Sequence, residues 1–378
     1  MHGTLFSLEL SDRDASSSLA STLRAPFLSA LLERTRRGVL RRRFADSGHV
    51  QSNLRSLLLF AFKKMWVSAL VSPAWLRAEL KRCCVLDATW YMPSAGKDAA
   101  AEFTKARIPT STRFDIDEVA DKETPLPHML PRSAEAFREC LERLRIRPRT
   151  PDPADTAIVC YARNGAFIAA ARAWWMFRVF GIDRVFVLDG GFRSWINAGY
   201  ELETGTPSPR SGDSEAAPSS AVFPLRFRRE LVCSRTEICD YLAGSRRIRL
   251  LDARSRGRFR GEEPEPRPGL RLGHIPGAYN VPYESLVCNE GCSLRPVSEL
   301  RQIFSSCVQH LAVPSPAADA NTQSPPLVAS CGSGVTAAII ALALHELGIP
   351  ECAIYDGSWA EYGACMELPL ETIETTST

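Results

Sequence analysis

A cysteine in a glycine-rich turn is the strongest chemical feature of the sequence. Residues 327–336 read LVASCGSGVT, so an apolar run ends just before Cys331 and two glycines follow. Glycines let the backbone curl, and the inward N–H groups, together with the positive end of a following helix, favour a negative charge at the centre. A thiolate and a persulfide anion both carry that charge. The segment predicts a sulfur nucleophile, with a buried structural cysteine as the alternative.

The residues around this turn indicate the elements that position it. Short β-branched apolar runs alternate with helical segments, as in the strand at 157–161, the helix at 166–180 and the strand at 184–188. We expect a strand at 327–329 to lead into Cys331 and a helix at 337–347 to follow it. Such alternation is typical of a parallel sheet covered by helices, so the sequence predicts an α/β fold.

The chain repeats itself once after Met65. The segments VLDA (85–88), RIP (107–109) and VLDGG (187–191) correspond to LLDAR (250–254), HIPG (274–277) and IYDGSW (354–359), at offsets of 165, 167 and 167 positions. So constant an offset indicates two tandem domains of one fold.

Domain boundaries follow from this repeat and from composition. We expect domain 1 at residues 65–203, a linker rich in Pro, Ser and Gly at 204–224, and domain 2 at 225–378. A second low-complexity stretch at 314–326 is predicted to be a surface insertion.

The overall composition narrows the class of protein. The 46 basic and 43 acidic residues are mixed along most of the chain, which does not indicate a nucleic-acid or membrane-surface protein. No apolar run is long enough to cross a bilayer. The 12 cysteines lack the spacing of a disulfide framework or of a four-ligand zinc site, which favours a reducing compartment. Small molecules are the expected partners.

Residues 1–64 differ from the rest of the chain. They hold eleven Arg or Lys against five Asp or Glu, and leucines and arginines recur at helical intervals between Ser16 and Arg43. Amphipathic, Arg-rich segments are typical of mitochondrial transit peptides, although the acidic residues here are not. A disordered extension, or translation from Met65, is the alternative. We expect a location in the mitochondrion or the cytoplasm.

Three motifs together resemble the rhodanese family of sulfurtransferases: CGSGVT at 331–336, GHIPGA at 273–278 and YDGSW at 355–359. The resemblance runs from about Trp66 to Leu370. It implies two tandem rhodanese-like domains, each a parallel sheet flanked by helices, and sulfur transfer through a Cys331 persulfide without a cofactor. It also implies that Gly332, Gly334, Val335 and Thr336 hold the substrate at the loop.

The loop further resembles one branch of that family. Members specific for thiosulfate place basic residues directly after the cysteine, whereas members that use 3-mercaptopyruvate carry Gly-Ser-Gly, as here. A loop without its own cation should favour singly charged mercaptopyruvate over the thiosulfate dianion. The resemblance implies transfer to cyanide or to a thiol such as glutathione or thioredoxin, with release of pyruvate. Thiosulfate:cyanide transfer on the same scaffold is the alternative.

The same resemblance implies roles for residues outside the loop. Arg258 and Arg267 match the pair that binds the substrate carboxylate, a task suited to the planar guanidinium, and surface pairing with nearby glutamates is the alternative. Ser333 matches one member of a proton relay to which domain 1 contributes Asp117 and His128. A helix cap or a surface role is the alternative for those two.

The first repeat lacks a cysteine at the corresponding turn. Alignment of its strand and helix puts Arg163 or Asn164 at the position of the nucleophile, and Cys160 falls within the strand. We therefore expect domain 1 to be catalytically silent and Cys160 to be a packing residue.

Two other classes of protein share part of this pattern with the sulfurtransferases. A cysteine phosphatase also places Cys between a strand and a helix, but it needs an arginine at the loop's end, where this chain has Thr336 and Ala337. A non-catalytic module of the rhodanese family usually lacks the cysteine. The presence of Cys331 favours an enzyme.

Overall fold

The computed structural model describes residues 68–163, 167–206, 222–288, 292–307 and 325–372. The predictions for residues 1–64, for most of the linker and for most of the insertion at 314–326 lie outside these ranges.

Domain 1 is built on a five-stranded sheet. Its strands are β1 (Leu70–Val71), β2 (Cys83–Asp87), β3 (Thr112–Arg113), β4 (Ala157–Tyr161) and β5 (Val185–Leu188). They pair in the order β1-β5-β4-β2-β3, and every pair is parallel. Every residue of β2, β4 and β5 is buried, which explains why these strands are nearly continuous apolar runs in the sequence.

The helices of domain 1 cover both faces of this sheet. They are α1 (Pro73–Glu79), α2 (Ala99–Lys105), α3 (Ile116–Val119), α4 (Ala134–Arg143), α5 (Phe167–Val179) and α6 (Gly191–Asn197), with short 3-10 turns at Leu80–Arg82, Pro93–Ala95 and Pro153–Asp155. Side-chain caps begin several of them: Ser72, Asp98 and Ser133 each accept N–H groups of the first turn.

Domain 2 repeats the plan. Its strands are β6 (Val232–Cys233), β7 (Arg249–Asp252), β8 (Tyr279–Asn280), β11 (Leu327–Ser330) and β12 (Cys352–Tyr355), in the parallel order β6-β12-β11-β7-β8. A separate antiparallel pair joins β9 (Val287–Cys288) to β10 (Ser293–Leu294). The two sheets have the same connectivity, which confirms the predicted α/β fold with tandem domains.

The helices of domain 2 also follow the pattern of domain 1. They are α7 (Arg235–Leu242), α8 (Arg256–Arg260), α9 (Tyr283–Leu286), α10 (Val297–Cys307), α11 (Ala337–Glu346) and α12 (Ser358–Tyr362), and a 3-10 turn at Arg229–Leu231 precedes β6. None of the helices in the described part of the chain has the length and apolarity that a bilayer span requires.

Two helices, α5 and α11, hold the domains together. All of α5 except Ile168 is buried, and α11 is buried from Ala337 to Leu344. The two helices pack on each other and merge both cores into one apolar cluster. A helix covered on every side has no polar face, so neither shows an amphipathic pattern. The boundary between the domains is therefore a hydrophobic core.

Polar contacts reinforce this boundary. The Glu346 carboxylate at the end of α11 accepts hydrogen bonds from the Ala69 N–H at 2.7 Å and the Ser68 hydroxyl at 2.8 Å. After residue 221, the chain first lies along domain 1. There the Arg228 N–H donates to the carbonyl of Val179, the last residue of α5, and the Arg226 N–H donates to the carbonyl of Phe180, the next residue. Groups from domain 1 can therefore be held at fixed distances from the Cys331 loop.

Candidate active site

Cys331 lies between β11 and α11 and is 1% exposed. Its N–H donates to the Ser358 hydroxyl at 3.1 Å, and its carbonyl accepts from the Trp359 N–H at 2.9 Å. The next carbonyl, of Gly332, accepts from the Ala360 N–H at 2.8 Å. The start of the loop is thus fastened to the start of α12, with the cysteine at its base.

The loop presents a row of backbone donors. Within the described ranges, no protein acceptor binds the N–H groups of residues 332–336. Gly334 has φ +77°, and a Cβ atom there would lie 2.7 Å from the Asp356 carbonyl, so a side chain cannot be accommodated. Successive N–H groups without a protein acceptor, before a ten-residue helix, are the arrangement that binds anions in proteins, and the anion site at this loop stays a prediction.

Arg258 lies directly against this loop. A Cβ atom at Gly332 would come within 2.8 Å of Arg258 Nη2. The buried Glu265 carboxylate fixes the guanidinium, accepting from Nη2 at 2.6 Å and from Nε at 3.2 Å, and it also accepts from Arg254 Nη1 at 2.9 Å. Arg258 therefore pairs with a glutamate, but with a buried one that positions it beside Cys331. Its Nη1 has no acceptor among the described residues.

Arg267 supplies a second cation on the same side of the loop. Burial lowers its pKa; the nearby Cys331 opposes that effect and Arg258 adds to it. Its Nη2 lies 3.1 Å from His128 Nε2. Arg260 differs from both, since it is about a third exposed and pairs with Glu262 at 3.5 Å on the surface.

Domain 1 contributes a carboxylate–imidazole pair to this site. Asp117 Oδ1 lies 2.6 Å from His128 Nδ1. A guanidinium can only donate, so His128 Nε2 accepts from Arg267, and the proton of a neutral ring must be on Nδ1, which donates to Asp117. The three groups form one chain of hydrogen bonds across the domain boundary.

The charge of Asp117 is stabilised by its donors. Burial alone would raise its pKa, but the hydrogen bonds from His128 and from Trp90 Nε1, the latter at 2.6 Å, outweigh burial and leave the pKa below the usual 3.8. The Trp90 ring also packs edge-on against His128, with centroids 4.9 Å apart. The imidazole is thus oriented by a carboxylate and an aromatic wall.

Not every predicted residue joins this chain of contacts. Ser333 is buried in the loop, but no hydrogen bond links it to Asp117 or His128 within the described ranges. Thr336 precedes α11 without a side-chain cap bond, and Val335 is buried. The role of Ser333 in proton transfer stays a prediction. The roles of the other loop residues in substrate binding also stay predictions.

The prediction for the equivalent position in domain 1 was wrong. In domain 2, the Ala253 N–H donates to the Ser330 carbonyl, and the Trp359 N–H donates to the Cys331 carbonyl. In domain 1, the corresponding bonds run from the Ala88 N–H to the Tyr161 carbonyl and from the Phe192 N–H to the Ala162 carbonyl. Ala162, not Arg163 or Asn164, therefore takes the place of Cys331. Sequence pattern alone does not fix strand register. Alanine has no nucleophile, which supports the prediction of a silent domain 1.

The Arg163 side chain fills the space beside Ala162. It donates to the Ala106 carbonyl, lies 3.4 Å from the Asp87 carboxylate and stacks on Phe192 with its guanidinium carbon 4.1 Å from the ring centroid. Cys160 is buried within β4, and burial raises the pKa of its thiol far above the ordinary value, which agrees with a packing role.

The sequence did not single out several residues that shape the site. Their positions were visible in part: Asp356 and Ser358 lie within the repeated motif, and Arg172 is a cation inside the apolar helix α5, where an unpaired charge would be costly. Glu265 lies between two prolines near the predicted clamp. In the described part of the chain, no group of three or more His, Cys, Asp or Glu side chains is placed to hold a metal ion.

The arrangement can hold a sulfur anion and a carboxylate next to each other. The loop N–H groups have no protein acceptor among the described residues, two guanidinium groups with free donors lie beside the loop, and the His128–Asp117 pair can accept or return a proton.

Comparisons with known proteins agree with this geometry. The family model for the rhodanese-like domain matches residues 72–198 and 237–365. The chain is 38% identical to thiosulfate/3-mercaptopyruvate sulfurtransferase 1, mitochondrial, of Arabidopsis thaliana, over 81% of this chain and 79% of the relative. It is 40% identical to human 3-mercaptopyruvate sulfurtransferase, over 78% and 91% of the two chains.

A solved structure extends the comparison to the fold. The crystal structure of SseA from Escherichia coli, described with the rhodanese fold, superposes with a TM-score of 0.60 at 31% identity and covers 78% of this chain and 99% of that one. Each matched segment contains four of the five strands of one parallel sheet, and the second segment contains the Cys331 loop. The chain therefore belongs to the rhodanese family and carries two rhodanese-like domains in tandem.

Proposed function

We propose that this protein is a sulfurtransferase that moves sulfur from 3-mercaptopyruvate through a Cys331 persulfide to an acceptor. The observation that carries the proposal is the buried Cys331 in a loop of free N–H donors, flanked by Arg258 and Arg267. The names of the human and Arabidopsis relatives support the choice of donor.

In the first step, the Cys331 thiolate attacks the sulfur of 3-mercaptopyruvate. An S–S bond forms, the C–S bond breaks, and its electron pair leaves on the pyruvate enolate. The proton of the donor thiol ends on the enolate carbon, which gives pyruvate and leaves a Cys331 persulfide anion. We assign the stabilisation of this anion to the N–H groups of residues 332–336, because no acceptor in the described part of the protein competes for them.

In the second step, an acceptor thiolate attacks the outer sulfur of the persulfide. The S–S bond of the enzyme breaks, Cys331 leaves as the thiolate, and the acceptor carries the sulfur away as its own persulfide. The rate of such an exchange depends on the thiolate fraction of the attacking group. Small thiols such as glutathione and the thiol protein thioredoxin are proposed acceptors of this kind. Cyanide is a further proposed acceptor, which attacks the same outer sulfur and leaves as thiocyanate.

The flanking groups divide the remaining work. Arg258 Nη1 and the free donors of Arg267 bind the carboxylate of the donor, and the buried Glu265 keeps Arg258 in place. When Arg267 binds the carboxylate of the donor in place of His128, the freed Nε2 of His128 takes the proton of the donor thiol and delivers it to the enolate, while Asp117 stabilises the imidazolium in between.

The preference between donors tests the proposal. We expect the initial rate with 3-mercaptopyruvate to exceed that with thiosulfate at least about tenfold with one common acceptor, because the loop residues next to Cys331 carry no charge of their own for a dianion. Release of pyruvate and of sulfite reports the two reactions under identical conditions. A faster rate with thiosulfate would favour the alternative, a thiosulfate:cyanide sulfurtransferase.

Replacing Asp117 by Asn should slow turnover about 10- to 100-fold, because the neutral amide no longer stabilises an imidazolium at His128. The pKa of Asp117 is lowered in the folded protein. The stability that its ionised carboxylate contributes is therefore present above the unfolded pKa near 3.8, and it is lost only as the pH falls through the still lower folded pKa. Asp117 thus stays ionised between about pH 5 and pH 8, and the variant should be slower than wild type throughout that range.

The matched control for this variant is Asp121→Asn, a nearby carboxylate that pairs with the exposed Arg132. It should retain the wild-type rate. An Asp117→Asn variant as fast as wild type between about pH 5 and pH 8 would contradict the role assigned to the charge of Asp117.

We further propose that residues 1–64 direct the chain to mitochondria, in keeping with the Arabidopsis relative that is named mitochondrial. A fluorescent reporter fused after residue 64 should co-localise with a mitochondrial marker, because the segment is rich in arginine and amphipathic. A variant with Arg41, Arg42 and Arg43 changed to Ala should lose that location. Diffuse cytosolic signal from the unmodified fusion would contradict the proposal.

A further inference from the structure

Arg172 lies in α5 of the silent domain, yet its guanidinium reaches the Cys331 loop. Its side chain is fully buried. Nη1 donates to the Gly334 carbonyl at 3.2 Å, and Nη2 donates to the His128 carbonyl at 2.6 Å and to Asp356 Oδ1 at 2.7 Å. One cation thus binds the loop of the nucleophile, the backbone of the imidazole and a carboxylate of domain 2.

Asp356 completes this set of contacts from the opposite side. Its Oδ2 accepts from the Leu130 N–H at 2.8 Å, two residues after His128. The His128–Leu130 segment of domain 1 is therefore held at its carbonyl by Arg172 and at its N–H by Asp356. These contacts connect residues 44 and 226 positions apart in sequence.

Both backbone positions held by Arg172 are unusual. His128 has φ +59°, a left-handed conformation that is strained for a residue other than glycine and persists only where surrounding contacts fix it. Gly334 has φ +77° and lies between Asp356 and Arg172. Because peptides are planar and trans, a Gly334 carbonyl turned toward Arg172 directs the Val335 N–H away from it.

Stability alone does not explain this buried ion pair. Charges removed from water lose hydration that their mutual attraction often fails to recover, and apolar residues of similar volume would pack as well beside Trp175. What an apolar side chain could not supply is a set of directed donors that fixes three backbone and carboxylate groups at once.

We propose that Arg172 is a positioning residue for sulfur transfer: it sets the distance and orientation between His128 and the Cys331 loop. The inference rests on the proposed function, because it assigns His128 and Cys331 to one reaction. It also gives domain 1 a role, which is to supply Arg172 together with the Asp117–His128 pair to the nucleophile of domain 2.

The test compares Arg172→Gln with Arg178→Gln. Arg178 is a matched control, because it is a mostly buried arginine on the same helix that also donates to domain 2, at the Pro350 carbonyl 3.1 Å away. Within the described ranges it makes no hydrogen bond to His128 or to the loop. We expect Arg172→Gln to slow the single-turnover release of pyruvate about 30- to 100-fold, since small displacements of reacting groups cost that much. Arg178→Gln should stay within about threefold, even where both lower the melting temperature equally.

A double-mutant cycle separates positioning from general destabilisation. If Arg172 acts through His128, adding Arg172→Gln to a His128→Ala variant should slow the reaction further by less than about threefold. A full additional loss in that background, or equal rates for the two single arginine variants, would overturn the inference. Where Arg172→Gln does not fold, Asp356→Asn takes its place in the same cycle, since it removes the partner charge with little change of shape.

Release of pyruvate by the wild-type enzyme tests the proposed function separately from the positioning role of Arg172. A wild-type enzyme that released no pyruvate from mercaptopyruvate would count against that function, and the same variants would then be compared by release of sulfite from thiosulfate. A wild-type release of pyruvate with equal rates in Arg172→Gln and Arg178→Gln would count against the positioning role alone.

Discussion

Replacing Cys331 by serine should reduce turnover at least about 10³-fold, because a hydroxyl can neither attack sulfur at neutral pH nor carry it as a persulfide. The fold should survive. Serine is nearly the size of cysteine, and its hydroxyl would meet the free N–H groups of the loop, so the cost of burying a polar group is small there. The melting temperature should stay within a few degrees of wild type.

The chemical test of this prediction is the mass of the protein after treatment with mercaptopyruvate. Wild-type protein should gain one sulfur atom that a thiol removes, and the Cys331→Ser protein should not. Cys160→Ala is the matched control, since Cys160 lies in the equivalent strand of domain 1 and is equally buried. Release of pyruvate by Cys331→Ser at a rate near wild type would refute the mechanism.

Replacing Arg267 by Gln should lower kcat/KM for mercaptopyruvate about 10- to 100-fold, and Arg258→Gln should do the same. A hydrogen bond to a charged group contributes about 1.5–3 kcal/mol, and each tenfold change corresponds to about 1.4 kcal/mol. The loss should fall mainly on KM if the carboxylate is bound equally in the ground and transition states. Inhibition by added pyruvate should weaken in parallel, because pyruvate carries the same α-keto carboxylate.

The control for both variants lies in the same segment. Arg260 is partly exposed and pairs with Glu262 on the surface, so Arg260→Gln should change kcat/KM by less than about twofold. Arg258→Gln also leaves the buried Glu265 with Arg254 as its remaining described partner, which should lower stability as well as rate. Equal losses for all three variants would show that the segment acts through net charge and not through a carboxylate clamp.

The variants of Cys331 and of the two arginines fail in different ways. Loss of the nucleophile prevents persulfide formation at any donor concentration, whereas loss of a clamp arginine is overcome in part by more donor. Saturation curves for the wild type, Cys331→Ser, Arg258→Gln and Arg267→Gln therefore separate the chemical step from binding of the carboxylate.

Much of the fold was readable from the sequence because its signals are local. The strand at 157–161 was predicted with the bounds that the structure has, and the helices at 166–180 and 337–347 were predicted to within one residue at each end. Apolar runs bounded by turn residues set such elements, and the constant offset between repeats set the number of domains. The glycines after Cys331 predicted the loop for the same reason.

The candidate site was predictable only in part. Cys331, Arg258, Arg267, Asp117 and His128 were named in advance, and the structure brings all five close together. The motifs carried that information through a resemblance, not through spacing. Arg172 and Asp356 were missed as site residues, because nothing local distinguishes a buried cation that is bound across a domain boundary from one that caps its own helix.

By itself, then, the sequence determined which elements form, how often the pattern repeats and which turn carries a nucleophile, since each depends on the order of neighbouring residues. Tertiary structure decided that Ala162 occupies the place of Cys331, that His128 accepts a hydrogen bond from Arg267 139 positions away, and that Arg172 joins both domains at the loop. Register and packing between domains depend on contacts distant in sequence, and they become defined only when the two cores meet.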